Sequence, residues 1–335
     1  MTATRFDVLA VGNAIVDVLS PATDAFLAAE GIAKDAMTLI DEERARTLYE
    51  RMQAGKEASG GSAANTVAGI ASLGGRAAYI GKVANDQLGE IFSHDIRAIG
   101  VEFASAPLTG GPATARCLIN VTPDAGRSMS TFLGAAALVT EDDVEAGADA
   151  LRASSIVYLE GYLFDREEAK RAYVRAAELA AAAGRRTALT LSDTFCVARH
   201  RAAFRHLVAN HIDILLANEA EIIALYETDD FDTAMEMCRR DVAVAAVTRS
   251  DKGAVLLRGE ETIITEAEPV AQLVDTTGAG DLFAAGFLLG LAQGRSLAES
   301  GRMGAICAAE IISHFGARPE CSLKSLAEDA GIPFE

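Results

Sequence analysis

Asp275-Thr276-Thr277-Gly278-Ala279-Gly280-Asp281, followed by Leu282-Phe283-Ala284-Ala285-Gly286-Phe287-Leu288-Leu289-Gly290, has the pattern of a tight glycine turn opening an apolar helix, with a carboxylate in the first turn. Small residues ahead of a helix leave backbone N–H groups unpaired, and the helix dipole adds positive potential at that end. Such a terminus can hold a phosphate. Asp281 would then lie within reach of whatever the phosphate leaves or joins. Asp is also favoured at helix starts for local reasons, so this segment alone leaves both readings open.

The 335 residues suffice for one large α/β domain with an appendage, or for two domains. Half of the residues are hydrophobic, and no apolar run approaches the ~20 residues that span a bilayer. The N-terminus lacks the charged-then-apolar pattern of a secretory signal. A cytoplasmic protein is expected. The net charge of −18 argues against nucleic-acid partners and anionic membranes. It does not exclude a nucleotide, because a few N–H groups and one metal ion can hold phosphate locally. Cys117, Cys196, Cys238, Cys307 and Cys321 are far apart and never spaced C-x-x-C, which suits reduced, packed thiols. The histidines show no metal spacing, so no structural zinc is expected.

Phe6 to Val11 reads as a strand leading into Gly12-Asn13. Residues 14–20 and 36–40 read as short extended pieces around a polar loop, with helical runs at 41–54 and 63–73. Residues 114–121 and 128–133 alternate around Pro123-Asp124-Ala125-Gly126 as a hairpin does. From about 140 the order is regular. Helix 141–151, strand 155–159, helix 166–183, strand 187–191 and helix 198–209 lead to strand 212–216. Helices 218–226 and 231–239, then strand 243–248, continue the alternation, with a strand pair at 253–257 and 262–265. Helices at 279–292 and 297–313 follow. Strands alternating with helices predict an α/β fold: a mainly parallel central sheet covered by helices on both faces. The early extended pieces break that alternation and predict a small β appendage. The expectation is one α/β domain over 1–335, with a lid formed by about 13–40 and 110–133.

No G-x-x-x-x-G-K-[ST], G-x-G-x-x-G or G-x-S-x-G occurs, so a P-loop enzyme, a dinucleotide-binding enzyme and a serine hydrolase fit poorly. Four other segments accompany the 275–281 turn: Gly12-Asn13-Ala14-Ile15-Val16-Asp17, Gly60-Gly61-Ser62-Ala63-Ala64-Asn65, Gly81-Lys82-Val83-Ala84-Asn85-Asp86-Gln87-Leu88-Gly89, and Asn218-Glu219-Ala220-Glu221. In this order the set resembles the ribokinase/PfkB family of ATP-dependent carbohydrate kinases, from about residue 6 to 318. Gly-Gly-x-x-x-Asn and Asp-Thr-x-Gly-Ala-Gly-Asp match the two signatures of that family. Arg127-Ser128, Glu160-Gly161-Tyr162, Leu189-Thr190-Leu191-Ser192-Asp193 and the four-residue spacing of Asn13 and Asp17 resemble its adenosine kinase branch.

The resemblance implies a ribokinase-like fold with a small β-sheet lid, and a role for each matching residue. Asp281 is the base that takes the proton of the attacking hydroxyl. A carboxylate at a helix start is stabilised as the anion, so a weak base is expected. The N–H groups of Ala279, Gly280 and Asp281 stabilise the transferring phosphoryl group, with Gly278 and Gly280 letting backbone approach it. Asn13 and Asp17 hold a sugar diol. Gly60 and Gly61 let the sugar lie against backbone, and Asn65 donates to a hydroxyl. Asn218 and Glu221 order waters around Mg²⁺, and Thr248 and Gly253 lie on the ATP side. Some relatives carry a monovalent cation (K⁺) near the positions of Asp275 and Gly316. Tyr162 and Phe132 are candidates to touch a substrate base. By composition alone Asp17 could be a turn residue, Asn65 a cap, Asn218-Glu221 an acidic helix start and Phe132 a lid-packing residue.

The function implied is transfer of the ATP γ-phosphate to a primary hydroxyl of a ribose-containing small molecule, with the 5′-OH of adenosine favoured. A free-sugar kinase acting on ribose, fructose or a keto-deoxy sugar acid is the alternative. A catalytically idle, binding member of the family is a third. An apolar slot for a base separates the first two. Lids in this family sometimes pair between subunits, so monomer and homodimer both stay open.

Overall fold

The computed structural model describes residues 4–124 and 126–334, so Ala125 of the expected hairpin turn lies outside the described residues. Fourteen strands run in chain order among the described residues. They are β1 Phe6–Val11, β2 Ile15–Pro21, β3 Met37–Leu39, β4 Lys56–Gly60, β5 Ala77–Ile80, β6 Glu102–Phe103, β7 Ala115–Val121 and β8 Arg127–Phe132, then β9 Ser154–Glu160, β10 Arg186–Thr190, β11 Ile214–Asn218, β12 Val244–Thr248, β13 Ala254–Arg258 and β14 Glu261–Thr265.

Nine of them form one sheet in the order β14-β13-β12-β11-β10-β9-β1-β5-β6. From β6 to β12 every pairing is parallel, and β13 and β14 close one edge antiparallel. The parallel strands are apolar runs because both faces are covered. All six residues of β1 are buried. One core lies against helices Ser62–Ser72, Ala279–Ala292 and Leu297–Ile311. The other lies against Glu167–Ala182, Thr194–His211, Glu219–Tyr226 and Phe231–Asp241.

The second sheet has the order β3-β8-β7-β2-β4. Its even-numbered residues Val16, Val18 and Leu118 are buried in the first core beside Leu48 of helix Glu42–Tyr49. Burying each such side chain is worth about 1.5–3 kcal/mol. The odd-numbered residues of β2, β7 and β8 face the other way, over the open ends of the large sheet.

Sequence and structure differ at several places. The small sheet takes a further strand, β4, from a stretch too polar and glycine-rich to register as one; backbone pairing with β2 holds it there. Helix Asp24–Glu30 occupies part of the expected loop, capped by Thr23. The single helix expected over 141–151 is two, Glu141–Ala146 and Ala148–Arg152, broken at Gly147, where a side chain would strike Ile80. Helix 198–209 starts at Thr194, where the Asp193 carboxylate accepts from the N–H groups of Phe195 and Cys196, and it kinks at His200.

Candidate active site

The carboxyl ends of β1, β9, β10, β11 and β12 open into one cleft of about 690 Å³, walled on its far side by the small sheet. Open α/β sheets offer ligand sites at this end of their strands. Asn13, Asp17, Gly61, Asn65, Tyr162, Asn218, Glu221, Thr248, Gly278, Ala279, Gly280 and Asp281 all line it.

Gly278 caps the Ala279–Ala292 helix with φ of 82°, a left-handed conformation that glycine adopts freely, and a side chain there would press on Ala317. A Cβ at Gly280 would meet no protein atom within 4 Å, so packing does not explain this glycine. The Ala279 N–H donates to the Thr276 carbonyl at 3.2 Å. The N–H groups of Gly280 and Asp281 have no partner among the described residues, and both residues line the cleft.

Asp281 is gripped from across the cleft. Ser62 Oγ donates to its Oδ1 at 2.6 Å and Asn65 Nδ2 to its Oδ2 at 2.9 Å. Burial pushes its carboxyl above the usual range, against the pull of those hydrogen bonds and of Arg318. Burial thus works against the weak-base character that a helix start alone would give this carboxylate. The side-chain oxygen of Asn65, Oδ1, is buried without a partner. Its amide therefore orients the carboxylate through one of its two N–H hydrogens, and Oδ1 offers a ligand an acceptor.

Glu160, at the end of β9, accepts from Asn13 Nδ2 at 2.7 Å and from the Ala63 N–H at 2.8 Å, and burial pushes its carboxyl up to about 7. Asp17 is pushed up to about 6 by burial, with Arg318 and Arg127 pulling the other way. Gly60 does not line the cleft. A side chain there would strike the Asp17 carboxylate, so this glycine makes room for Asp17 and not for a sugar. Gly61, with φ of 97°, borders the cleft; a side chain would strike the Asn13 carbonyl.

Asn218 and Glu221 form a reciprocal capping box. Asn218 Nδ2 donates to Glu221 Oε1 at 2.7 Å, and the Glu221 N–H donates to Asn218 Oδ1 at 2.9 Å. Burial pushes the Glu221 carboxyl up to about 7. No cluster of three or more acidic, histidine or cysteine side chains that could hold a metal ion exists among the described residues. Gly253 lies outside the cleft; a side chain there would strike the Thr265 carbonyl. Phe132 points away as well, because β8 turns Met129 and Thr131 to the cleft and buries Phe132 on the opposite face.

A sequence pattern described as pfkB family carbohydrate kinase matches residues 25–324. The chain belongs to the PfkB family of carbohydrate kinases. This PfkB kinase is 53% identical to the adenosine kinase of Sinorhizobium meliloti, whose crystal structure superposes with a TM-score of 0.89 over 97% of this chain and 99% of that one. It is 50% identical to a probable sugar kinase from Rhizobium etli CFN 42, with a TM-score of 0.91 over 98% and 100% of the two chains. It is 27% identical to the adenosine kinase of Saccharomyces cerevisiae, over 91% of this chain and 94% of that protein. The PfkB kinase is a phosphotransferase acting on a sugar or nucleoside, and its fold is ribokinase-like. No helix among its described residues is long and apolar enough to cross a membrane.

Several site residues escaped the sequence. Ser62 reads as an ordinary helix-start serine, yet it bonds the candidate base. Glu160 and Arg127 stand out as subfamily markers without an assigned task. Arg127 of β8 crosses to Asp275, whose carboxylate also accepts from the N–H groups of Thr277 and Gly316. Arg127 thus sets a positive charge beside Asp275. Phe195, 74% exposed, lines the cleft with Tyr162, 38% exposed. Nothing local marks Phe195 beforehand.

Proposed function

We propose that this kinase transfers the γ-phosphate of ATP to the 5′-hydroxyl of adenosine. The observation that carries this reading is the cleft's lining. Its small-sheet wall is apolar, with Ile15, Met37, Leu39, Ile119 and Met129, and the rings of Tyr162 and Phe195 reach the same space. A purine has flat apolar faces to bury there; a free sugar offers mostly hydroxyls. The 53% identity to a protein described as an adenosine kinase supports the same reading.

The residues fit the phosphates of ATP. Gly280 leaves open space that a Cβ would enter, and the N–H groups of Gly280 and Asp281 beside it are without a partner among the described residues. Donors of this kind are worth ~3 kcal/mol each when aimed at charge that develops in the transition state. Asp17 and Asn13 hold the ribose hydroxyls, and Asn65 Oδ1 accepts from one of them. Asp281 accepts the proton of the 5′-hydroxyl. Phosphoryl transfer has a loose transition state, so holding that hydroxyl in line matters more than base strength. Mg²⁺, when bound, neutralises phosphate charge; Glu221 and Asn218 would order its waters, in keeping with its reluctance to shed them. The small sheet, closing over the cleft, excludes water that would otherwise compete for the phosphoryl group. The cytoplasm supplies ATP and keeps the five unpaired cysteines reduced.

A free-sugar kinase is the second reading, favoured by the 50% identity to a probable sugar kinase. Coupled ADP release with Mg-ATP, comparing adenosine, inosine, guanosine, ribose, fructose and keto-deoxygluconate, separates the two. Turnover with micromolar adenosine is the expected result. Turnover with a free sugar alone would overturn the adenosine assignment, and no turnover at all would favour an idle binding protein.

A further inference from the structure

We propose that Arg318 is a positioning residue for phosphoryl transfer: it clamps the turn from β4 into the Ser62–Ser72 helix and supplies the enclosed positive charge that faces Asp17 and Asp281. The inference rests on Asp281 as the base and goes beyond it, since no sequence motif marks Arg318.

Arg318 lies in the loop after the Leu297–Ile311 helix. Its Nε and Nη2 donate to the Ser59 carbonyl at 3.0 and 2.8 Å, Nη2 also to Ser59 Oγ at 3.0 Å, and Nη1 to the Ala64 carbonyl at 2.7 Å. Each anchor is one residue from the chemistry. Ser59 precedes Gly60, against which the Asp17 carboxylate packs. Ala64 precedes Asn65, which donates to Asp281. The planar guanidinium therefore spans the two halves of the turn, with the sugar-binding carboxylate on one side and the base on the other. A lysine ammonium, a point donor, cannot span them in this way.

The charge matters as much as the clamp. Burial drives both carboxyls toward their neutral forms, and Arg318 is the cation that opposes this most for each. The other charged and titratable groups around it are Asp95 of helix Gln87–Ala98, Tyr79 of β5, Glu160 of β9 and Arg127 of β8. Of these Arg127 alone is a second cation; it pulls on Asp17 and is already paired with Asp275. Removing Arg318 leaves Asp281 with hydrogen-bond donors but no facing charge.

The test compares Arg318→Gln and Arg318→Lys in the full-length protein. The first readout is the pH profile of kcat/KM with whichever acceptor the wild type phosphorylates. The second is titration of ¹³C-labelled aspartate carboxyls by NMR in the ligand-free protein, assigned with Asp17→Asn and Asp281→Asn. In Arg318→Gln the acid limb and both carboxyl titrations should move up by about one pH unit, as loss of a nearby opposite charge predicts. In Arg318→Lys both should stay near wild type while kcat falls about ten-fold, because the charge remains and the clamp is lost. An unmoved acid limb and unmoved carboxyls in Arg318→Gln would overturn the electrostatic role. Wild-type kcat in Arg318→Lys would overturn the clamp. If thermal melting shows Arg318→Gln unfolded, the Lys variant decides, since a displaced limb or an undiminished kcat there each contradicts the proposal. If the wild type phosphorylates nothing, the functional reading fails while the carboxyl titration still judges Arg318.

Discussion

Arg127 of β8 is ion-paired with Asp275, the first residue of the turn that carries Asp281. Both side chains are almost fully enclosed. The pair ties the small sheet to the glycine turn that opens the Ala279–Ala292 helix. Removing one member strands the other in a poorly solvated place. Arg127→Ala should lower kcat/KM by about ten- to hundred-fold, the equivalent of one hydrogen bond to a charged group. Steady-state kinetics with saturating ATP would check this, and an unchanged kcat/KM would sink it.

Asp281→Asn keeps the shape of the side chain, and its amide can still meet Ser62 and Asn65. It cannot take the hydroxyl proton. kcat should fall by about 10²–10⁴, the usual worth of general acid–base catalysis, with acceptor KM little changed. A KM effect without a kcat effect would move Asp281 from catalysis to binding.

Gly278 and Gly280 should respond in opposite ways to alanine. Gly278→Ala forces a side chain into left-handed backbone and against Ala317, so it should destabilise by roughly 1–2 kcal/mol. Gly280→Ala meets open space within a helix, so it should leave the protein as stable or stabilise it by up to about 1 kcal/mol. Its cost should appear instead as a raised KM for ATP. Thermal melts and ATP titrations on both variants separate packing from ligand contact.

Tyr162→Ala and Phe195→Ala should raise the KM for adenosine by about ten-fold, since stacking on a base is worth about 1–3 kcal/mol. Any residual turnover of a free sugar should be untouched. Equal losses on both acceptors would mean that the rings support the fold of the cleft wall and not a base.

Activity and stability should depend on pH in opposite directions. Asp17 must be ionised to accept from sugar hydroxyls, and burial raises its carboxyl from 3.8 to about 6, so kcat/KM should fall as pH drops through about 6. Glu160 is raised from 4.5 to about 7, again mainly by burial. A carboxyl with a raised folded value binds its proton more tightly when folded. It contributes stability fully below its unfolded value and loses it as pH rises through the folded one. For Glu160 that window runs from 4.5 to about 7. The Tm of the ligand-free protein should therefore fall across it, and Glu160→Gln should flatten the fall. The flattening separates Glu160 from the general repulsion of a −18 chain.

The long, periodic segments were legible in advance, because burial on both faces writes apolar runs into strands such as β1 and β9, and amphipathic or capped helices write their own period. Lys56–Gly60 was not, since its pairing with β2 is a tertiary choice that a polar, glycine-ended sequence does not announce. The same division holds in the site. Asp281, Asn65 and Glu221 sit in compact motifs whose spacing carries meaning. Ser62, Arg127, Glu160, Phe195 and Arg318 come from five separate segments, and only the folded sheet ends bring them into one neighbourhood. Gly60 and Gly253 show the converse, glycines inside or beside recognisable motifs whose reason is crowding by protein atoms.

Two of the segments that lead into or out of the small sheet are made of cleft residues: β2 starts two residues after Asn13, and β4 ends at Gly60, just before Gly61 and the Ser62–Ser72 helix. The links at the edge of the small sheet thus also supply residues of the cleft. Any swing of the small sheet must turn Asn13 and Gly61 with it, and any ligand that fixes those residues restrains the swing. Affinity for the acceptor then contains the free energy of closing the small sheet. Substitutions far out on the small sheet, touching no ligand, would change how tightly the acceptor is held.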